Sequence, residues 1–184
     1  ALSNSTETAE TQLFLGSIRM SQNRKQEALA AFQRAKAIDP TNADPYFQLG
    51  ETLVRLDRET EAIEEFKQAV ALKPTFFEAW VSLADAYYEI KNYPEAAKAY
   101  SQAKRIKNDN VEVLVGLGDA QRMSSDFNGA AGSYNLAATF ITRNPNFDKN
   151  EAADIYSKIG YVIGQQCQIN MRQAKPCAWP QAIR

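Results

Sequence analysis

The chain has no histidine and only two cysteines among its 184 residues. Without histidine there is no Ser-His-Asp or Cys-His nucleophilic arrangement and no histidine-based metal site. Two thiols alone are too few for a structural zinc site. No run of apolar residues approaches the roughly 20 needed to cross a bilayer as a helix. There is no tract of one charge either: 21 Lys and Arg stand against 22 Asp and Glu, a formal net charge of −1. A basic patch that tracks phosphates, and with it nucleic-acid binding, is not expected. No glycine-rich phosphate loop of the Walker or dinucleotide type occurs. The carboxylates are plentiful but scattered, as groups that keep a surface soluble are. These absences argue against an enzyme and against a cofactor, and they leave binding by a surface.

What the chain does have is a period of 34 residues. Leu15-Gly16, Leu49-Gly50, Leu83-Ala84 and Leu117-Gly118 recur at that interval. Each pair is followed by an Ala-aromatic-Ala set: Ala28-Phe32-Ala35, Ala62-Phe66-Ala69, Ala96-Tyr100-Ala103 and Ala130-Tyr134-Ala137. Within each copy, residues such as Tyr46, Leu49, Gly50 and Leu53 fall at i, i+3, i+4 and i+7, one apolar stripe of a helix. Glycine inside a helix costs roughly 1 kcal/mol relative to alanine. Gly16, Gly50 and Gly118 therefore predict a close crossing by a second helix. Asn23, Asp57-Arg58, Asn92-Tyr93-Pro94 and Ser125-Asp126 mark the turn into that second helix, and Pro40 and Pro74 mark its end. Repeats of this length stack, because no single hairpin can bury its own apolar face.

These residues resemble the tetratricopeptide repeat family. Four copies are in register, at 9–42, 43–76, 77–110 and 111–144, after a polar leader at 1–8. The second copy is the cleanest. The first carries Gln12 and Arg19 where bulky residues are usual, as suits a partly solvated end. The resemblance implies an all-α fold, a right-handed superhelical solenoid of antiparallel helix hairpins. It implies a non-enzymatic scaffold that binds a protein or peptide in a concave groove lined by the first helices. A self-assembling solenoid, or a targeting module of a larger enzyme or secretion component, are the alternatives.

In that family positions 2, 5, 9, 12 and 13 of each repeat point into the groove. Position 5 here is apolar throughout: Leu13, Phe47, Val81 and Val115. Position 9 is Ser17 and then three acids, Glu51, Asp85 and Asp119. Tyr88 and Arg122 stand at position 12, Arg55 and Glu89 at position 13. Glu10, Asp44, Glu78 and Glu112 at position 2 suit the positive end of the helix dipole and need no further explanation. The position 9 acids lie mid-helix, where the dipole offers none. Arg55 is one turn from Glu51, and Arg122 is three residues from Asp119. Asp85 has no basic residue one turn on, only Glu89. The groove is expected to be acidic, most clearly at Asp85, and to suit an apolar segment bearing Lys or Arg. The plainer reading is that position 5 packs between adjacent first helices while the acids solvate the surface. Chaperone-clamping members of the family hold a peptide carboxylate with Lys, Arg and Asn. The corresponding sites here are Leu13, Ser17, Gln48, Glu78 and Ser82, so such a carboxylate is not an expected ligand.

Beyond residue 144 the register slips by eight residues, and Tyr156, Ile159, Gly160 and Ile163 carry a fifth first-helix stripe. Asp148 and Glu151 read as a capping box for it. An insertion over 165–180 follows, and then Trp179-Pro180-Gln181-Ala182, which echoes Tyr93-Pro94-Glu95-Ala96. The segment 145–184 thus reads as an irregular, incomplete fifth repeat. The chain begins at Ala1 rather than Met, so the expectation is a fragment of a larger protein, with a natural C-terminal cap as the alternative. Cys167 and Cys177 fall in the insertion and bracket nine residues. A disulfide closing that loop would contribute about 2–3 kcal/mol and favour an oxidising compartment, periplasmic or extracytoplasmic. Two unrelated buried thiols in a reducing compartment are the alternative. Thiol titration of freshly isolated, denatured and unreduced protein distinguishes them: no free thiol is expected, and two would eliminate the bond.

Overall fold

The structure is a computed structural model that describes residues 7–143 and 148–173. Among these residues there are nine α-helices and no strand. They are α1 (Ala9–Ser21), α2 (Lys25–Ile38), α3 (Ala43–Val54), α4 (Glu59–Leu72), α5 (Phe77–Glu89), α6 (Tyr93–Ile106), α7 (Val111–Met123), α8 (Phe127–Arg143) and α9 (Lys149–Arg172). The fold is all-α, a solenoid of helix hairpins. By compactness the chain divides into two units, Ala1–Lys91 and Asn92–Arg184.

Local chemistry starts and stops these helices on the sequence period. Thr8 caps α1 in a reciprocal box with Thr11, Asn42 caps α3 through the Asp44 amide, and Asn110 caps α7 through the Val113 amide. Each side-chain oxygen takes up a backbone N–H that has no partner inside the helix. The turns after α1, α3, α5 and α7 pass through left-handed backbone at Asn23, Asp57, Lys91 and Ser125, with φ of 58°, 56°, 61° and 66°. Asn and Asp tolerate that region better than Lys or Ser do.

In the first unit, the ring of Phe32 fills the space beside Gly16 and the ring of Phe66 that beside Gly50. A Cβ built on Gly16 would stand 2.3 Å from Phe32 Cε1, and one on Gly50 2.4 Å from Phe66 Cε1. Both rings are fully buried, flanked by Ala28 and Ala35 or by Ala62 and Ala69. Successive hairpins are pinned by polar contacts as well. The Tyr46 hydroxyl donates to the Pro40 carbonyl at 3.0 Å, and the Trp80 indole N–H to the Pro74 carbonyl at 2.9 Å. Gln12 stands at the same repeat position. It is buried rather than partly solvated, and its Oε1 has no hydrogen-bond partner among the described residues.

In the second unit, Tyr134 lies over Gly118 in the same way, and Tyr100 of α6 lies over Gly116 of α7. A core of Leu114, Tyr134, Ala138, Ile155, Ile159 and Val162 joins α7, α8 and α9. Two expectations for this end are corrected. The Asp148 carboxylate caps α9 through the Asn150 amide at 2.8 Å, one residue before the amide a capping box with Glu151 would use. And α9 continues to Arg172, so the expected insertion is helical over its first eight residues. That stretch contains no Gly or Pro, and Gln166 Nε2 donates to Asn170 Oδ1 one turn on, at 2.9 Å. Cys167 consequently lies on α9, not in a loop, and Cys177 lies outside the described residues.

The glycine notches yield a paired prediction. Gly50→Ala improves helix propensity by about 1 kcal/mol but drives a methyl into the Phe66 ring, so a net loss of about 2 kcal/mol is expected in urea unfolding. Gly132 on α8 is exposed with nothing within 4 Å of its built Cβ. Gly132→Ala should stabilise, by up to about 1 kcal/mol.

Candidate partner-binding face

In the first unit α3, α4 and α5 enclose an open depression of about 120 Å³ lined by Glu51, Val54, Glu59, Ser82, Asp85, Ala86 and Glu89. Four of these seven residues are carboxylates and none is basic. Glu51 is held in place: the Ser82 hydroxyl donates to its Oε1 at 2.8 Å, and Arg55 Nη1 stands 3.7 Å from Oε2. An exposed pair like Glu51–Arg55 contributes only about 0.2–0.5 kcal/mol, so Arg55 is easily displaced. Asp85 and Glu89 are exposed at the rim. Asp85 and the half-buried Tyr88 are nevertheless engaged with other groups in the folded chain. No described cluster of three or more acidic or thiol groups is placed to hold a metal ion. The charge is set out along a surface and attracts a cation by its summed field.

The apolar row is half-buried at every member, Leu13, Phe47, Val81 and Val115. Phe47 is engaged in packing, its ring 4.9 Å from Phe76 and 6.0 Å from Phe66, and Val115 packs on the α8–α9 core. This row therefore spends much of its area between helices, as the plainer reading has it.

Asp119 departs from the expected groove row. Its Oδ1 accepts from the buried Tyr134 hydroxyl at 2.8 Å, its Oδ2 from Lys158 Nζ of α9 at 2.8 Å, and Arg122 Nη2 stands 3.5 Å away. It ties α7 to α8 and α9, and its charge is met by Lys158 and Arg122. Arg122 is visible in the sequence as a near neighbour, whereas Lys158 is 39 residues away. A signal for Lys158 did exist. Ser82 stands at position 6 of its repeat and reaches position 9 of the repeat before it, Glu51; Lys158, two residues after Tyr156, occupies the same place in the fifth stripe and reaches Asp119. Asp119, Arg122, Ser157, Lys158 and Tyr161 line a second depression, of about 250 Å³, in which both signs of charge are present. The Arg122 guanidinium lies 5.9 Å from the Tyr161 ring centre. Cys167 lines a third cleft, of about 180 Å³, between the start of α8 and the end of α9, beside Phe127 and Ile163.

Solved structures of similar fold are repeat proteins. A crystal structure of MamA matches with a TM-score of 0.70 at 22% identity, covering 76% of this chain and 81% of that one. YrrB, described as a TPR protein with an unusual peptide-binding site, matches with a TM-score of 0.73 at 15% identity, over 84% of this chain and 76% of that one. The first TPR of Spaghetti (RPAP3), bound to the HSP90 peptide SRMEEVD, matches with a TM-score of 0.61 at 20% identity, over 66% of this chain and 97% of that one. No curated protein matches the sequence significantly. Two tetratricopeptide repeat family models match, one over residues 16–57 and the other over 47–111, together just over half of the chain. The chain belongs to the tetratricopeptide repeat family.

The Asp119 cluster carries a pH signature. Burial, and then the Asp119 carboxylate, push the Tyr134 phenol above its ordinary value, with Arg122 opposing them. A phenol raised in the folded state stabilises fully below its unfolded pKa of about 10 and loses that contribution as pH rises beyond it. Unfolding free energy should therefore fall above about pH 10, and Tyr134→Phe should flatten that alkaline slope while costing about 1 kcal/mol at pH 7. Urea unfolding at stepped pH measures both.

Proposed function

We propose that this chain is a non-enzymatic protein-interaction module that holds an apolar partner segment on the first unit and reads one Lys or Arg side chain of it. Its family is in general one of interaction repeats rather than enzymes. The observation that carries the proposal is the depression at Glu51, Ser82, Asp85 and Glu89, where carboxylates from two first helices converge without a basic residue in the lining. Arg55 pairs with Glu51 at 3.7 Å, through a surface contact that an incoming guanidinium or ammonium can replace. Leu13 and Val81 on the apolar row, with the exposed Val54 beside the acids, supply half-covered surface for neighbouring apolar side chains. Asp119 and Arg122 are not part of this reading, since their charges satisfy one another and Lys158.

A partner presenting a free carboxylate, like the acidic chaperone peptide held by one structural neighbour, does not suit this face. Ser17 and Ser82, two of the positions where a clamp needs a cation or amide, have hydroxyls committed to the Leu13 carbonyl and to Glu51. Glu78 at a third repels a carboxylate outright. The oxidising compartment belongs to the proposal only insofar as the thiol titration finds the cysteines bonded.

The test is fluorescence anisotropy with two labelled peptides of identical apolar residues, one carrying a central Lys and the other a central Glu. The Lys peptide should bind at least tenfold more tightly, by about 1.4 kcal/mol, and weaken with salt. The double variant Asp85→Lys, Glu89→Lys should erase that preference. Equal binding of both peptides, or an unchanged preference in the variant, would sink the charge reading.

A further inference from the structure

α9 is 24 residues long, against 12 or 13 for α1, α3, α5 and α7, and its last turns lie beside the start of α8. The third cleft opens there. Val162 and Ile163, buried members of the second unit's core, form its floor with Ala131 and the half-buried Phe127, while Gln166 and Cys167 stand at its rim. At about 180 Å³ the cleft is smaller than the roughly 300–1,000 Å³ of a small-molecule site, and it suits a single large side chain.

The chain that leaves α9 carries such a side chain. α9 is capped at Gln173, and Pro176 three residues on prevents the helix from resuming there. In the remaining segment, 174–184, the one aromatic residue is Trp179. It stands six residues past Gln173, a stretch that spans up to about 20 Å, whereas α9 rises only about 15 Å from Ile163 to Gln173. The indole can therefore reach every part of the cleft. Its faces suit the apolar floor, and Asn128 and Gln166 offer side-chain carbonyls to its N–H. Cys167 and Asn170, both lining the cleft, are engaged with other groups in the folded chain. Cys177, the one other cysteine, comes two residues before Trp179. The bond anticipated between the two thiols would hold this segment against the same turns of α9.

We propose that residues 174–184 fold back along α9 and close this cleft, with the Trp179 indole seated between Phe127 and Ile163. The occupant is the chain itself because the segment is tethered one turn from the cleft, at an effective concentration in the millimolar range that a free partner would have to outdo. Aromatic residues open α6 and α8 as well, Tyr93 and Phe127, and both are half-buried. Trp179 stands before Pro180 as Tyr93 stands before Pro94. The inference is independent of the groove proposal, since the cleft belongs to the second unit and the Glu51–Asp85 depression to the first.

Acrylamide quenching of fluorescence tests it on the full chain carrying Trp80→Phe, in which Trp179 is the one tryptophan. Trp179 should be shielded, with a quenching constant several-fold below that of the same protein in urea and independent of protein concentration. Ala131→Arg, added to that chain, puts a charged side chain into the cleft from α8. It should raise the constant several-fold, towards the unfolded value, while circular dichroism stays as in the parent. Gln166→Arg, on α9, should do the same, and it decides the matter if Ala131→Arg loses its helices. Trp179 quenched in the parent as readily as in urea overturns the proposal. So does shielding that the folded variants leave intact, which puts the indole elsewhere, or shielding that appears only at high concentration, which makes the occupant a second copy.

Discussion

Three of the hairpins in this fold depend on an aromatic ring lying where a second side chain would have to be. Phe32, Phe66 and Tyr134 each occupy the space that a methyl on Gly16, Gly50 or Gly118 would fill, at 2.3–2.4 Å. Two helices can cross at that distance only if one presents no side chain, so the helix gives up some intrinsic propensity to permit the contact. In return, each hairpin buries a whole ring between small flanking alanines. Position and orientation of the helices are then set together, and the faces exposed to a partner follow from them.

The two ends of the acidic row show how little a repeat position decides by itself. Glu51 and Asp119 occupy the same place in their repeats, and each is touched by the sixth-position residue of the repeat that follows. In one case that residue is Ser82, a neutral donor that orients the carboxylate and leaves its charge in place. In the other it is Lys158, which cancels the charge and joins Tyr134 and Arg122 in a closed cluster. The first keeps its charge at the surface, and the second is a structural tie. A single choice of side chain, more than thirty residues away, makes that difference.

Much of the architecture was legible because packing repeats and the residues that pack must repeat with it. The 34-residue spacing of Leu-Gly and of the aromatics predicts the helices, and α1, α3, α5 and α7 start at residues 9, 43, 77 and 111. The end of the chain was less legible. Without a repeat to compare, the stretch after Gln165 reads as an insertion, although local helix formers carry α9 through to Arg172. Gln12 misled for a related reason: a polar residue at a terminal repeat suggests exposure, and the fold buries it all the same.

The sequence alone determined the class of the protein, its repeat length and the sign of charge along its first helices. All of these are properties of one helix or one hairpin, carried by neighbours three, four or thirty-four residues apart. Only the tertiary structure decided what each of those charges faces. Whether a carboxylate faces a serine, an ammonium or a phenol depends on side chains from separate helices, and their pairing is an outcome of stacking.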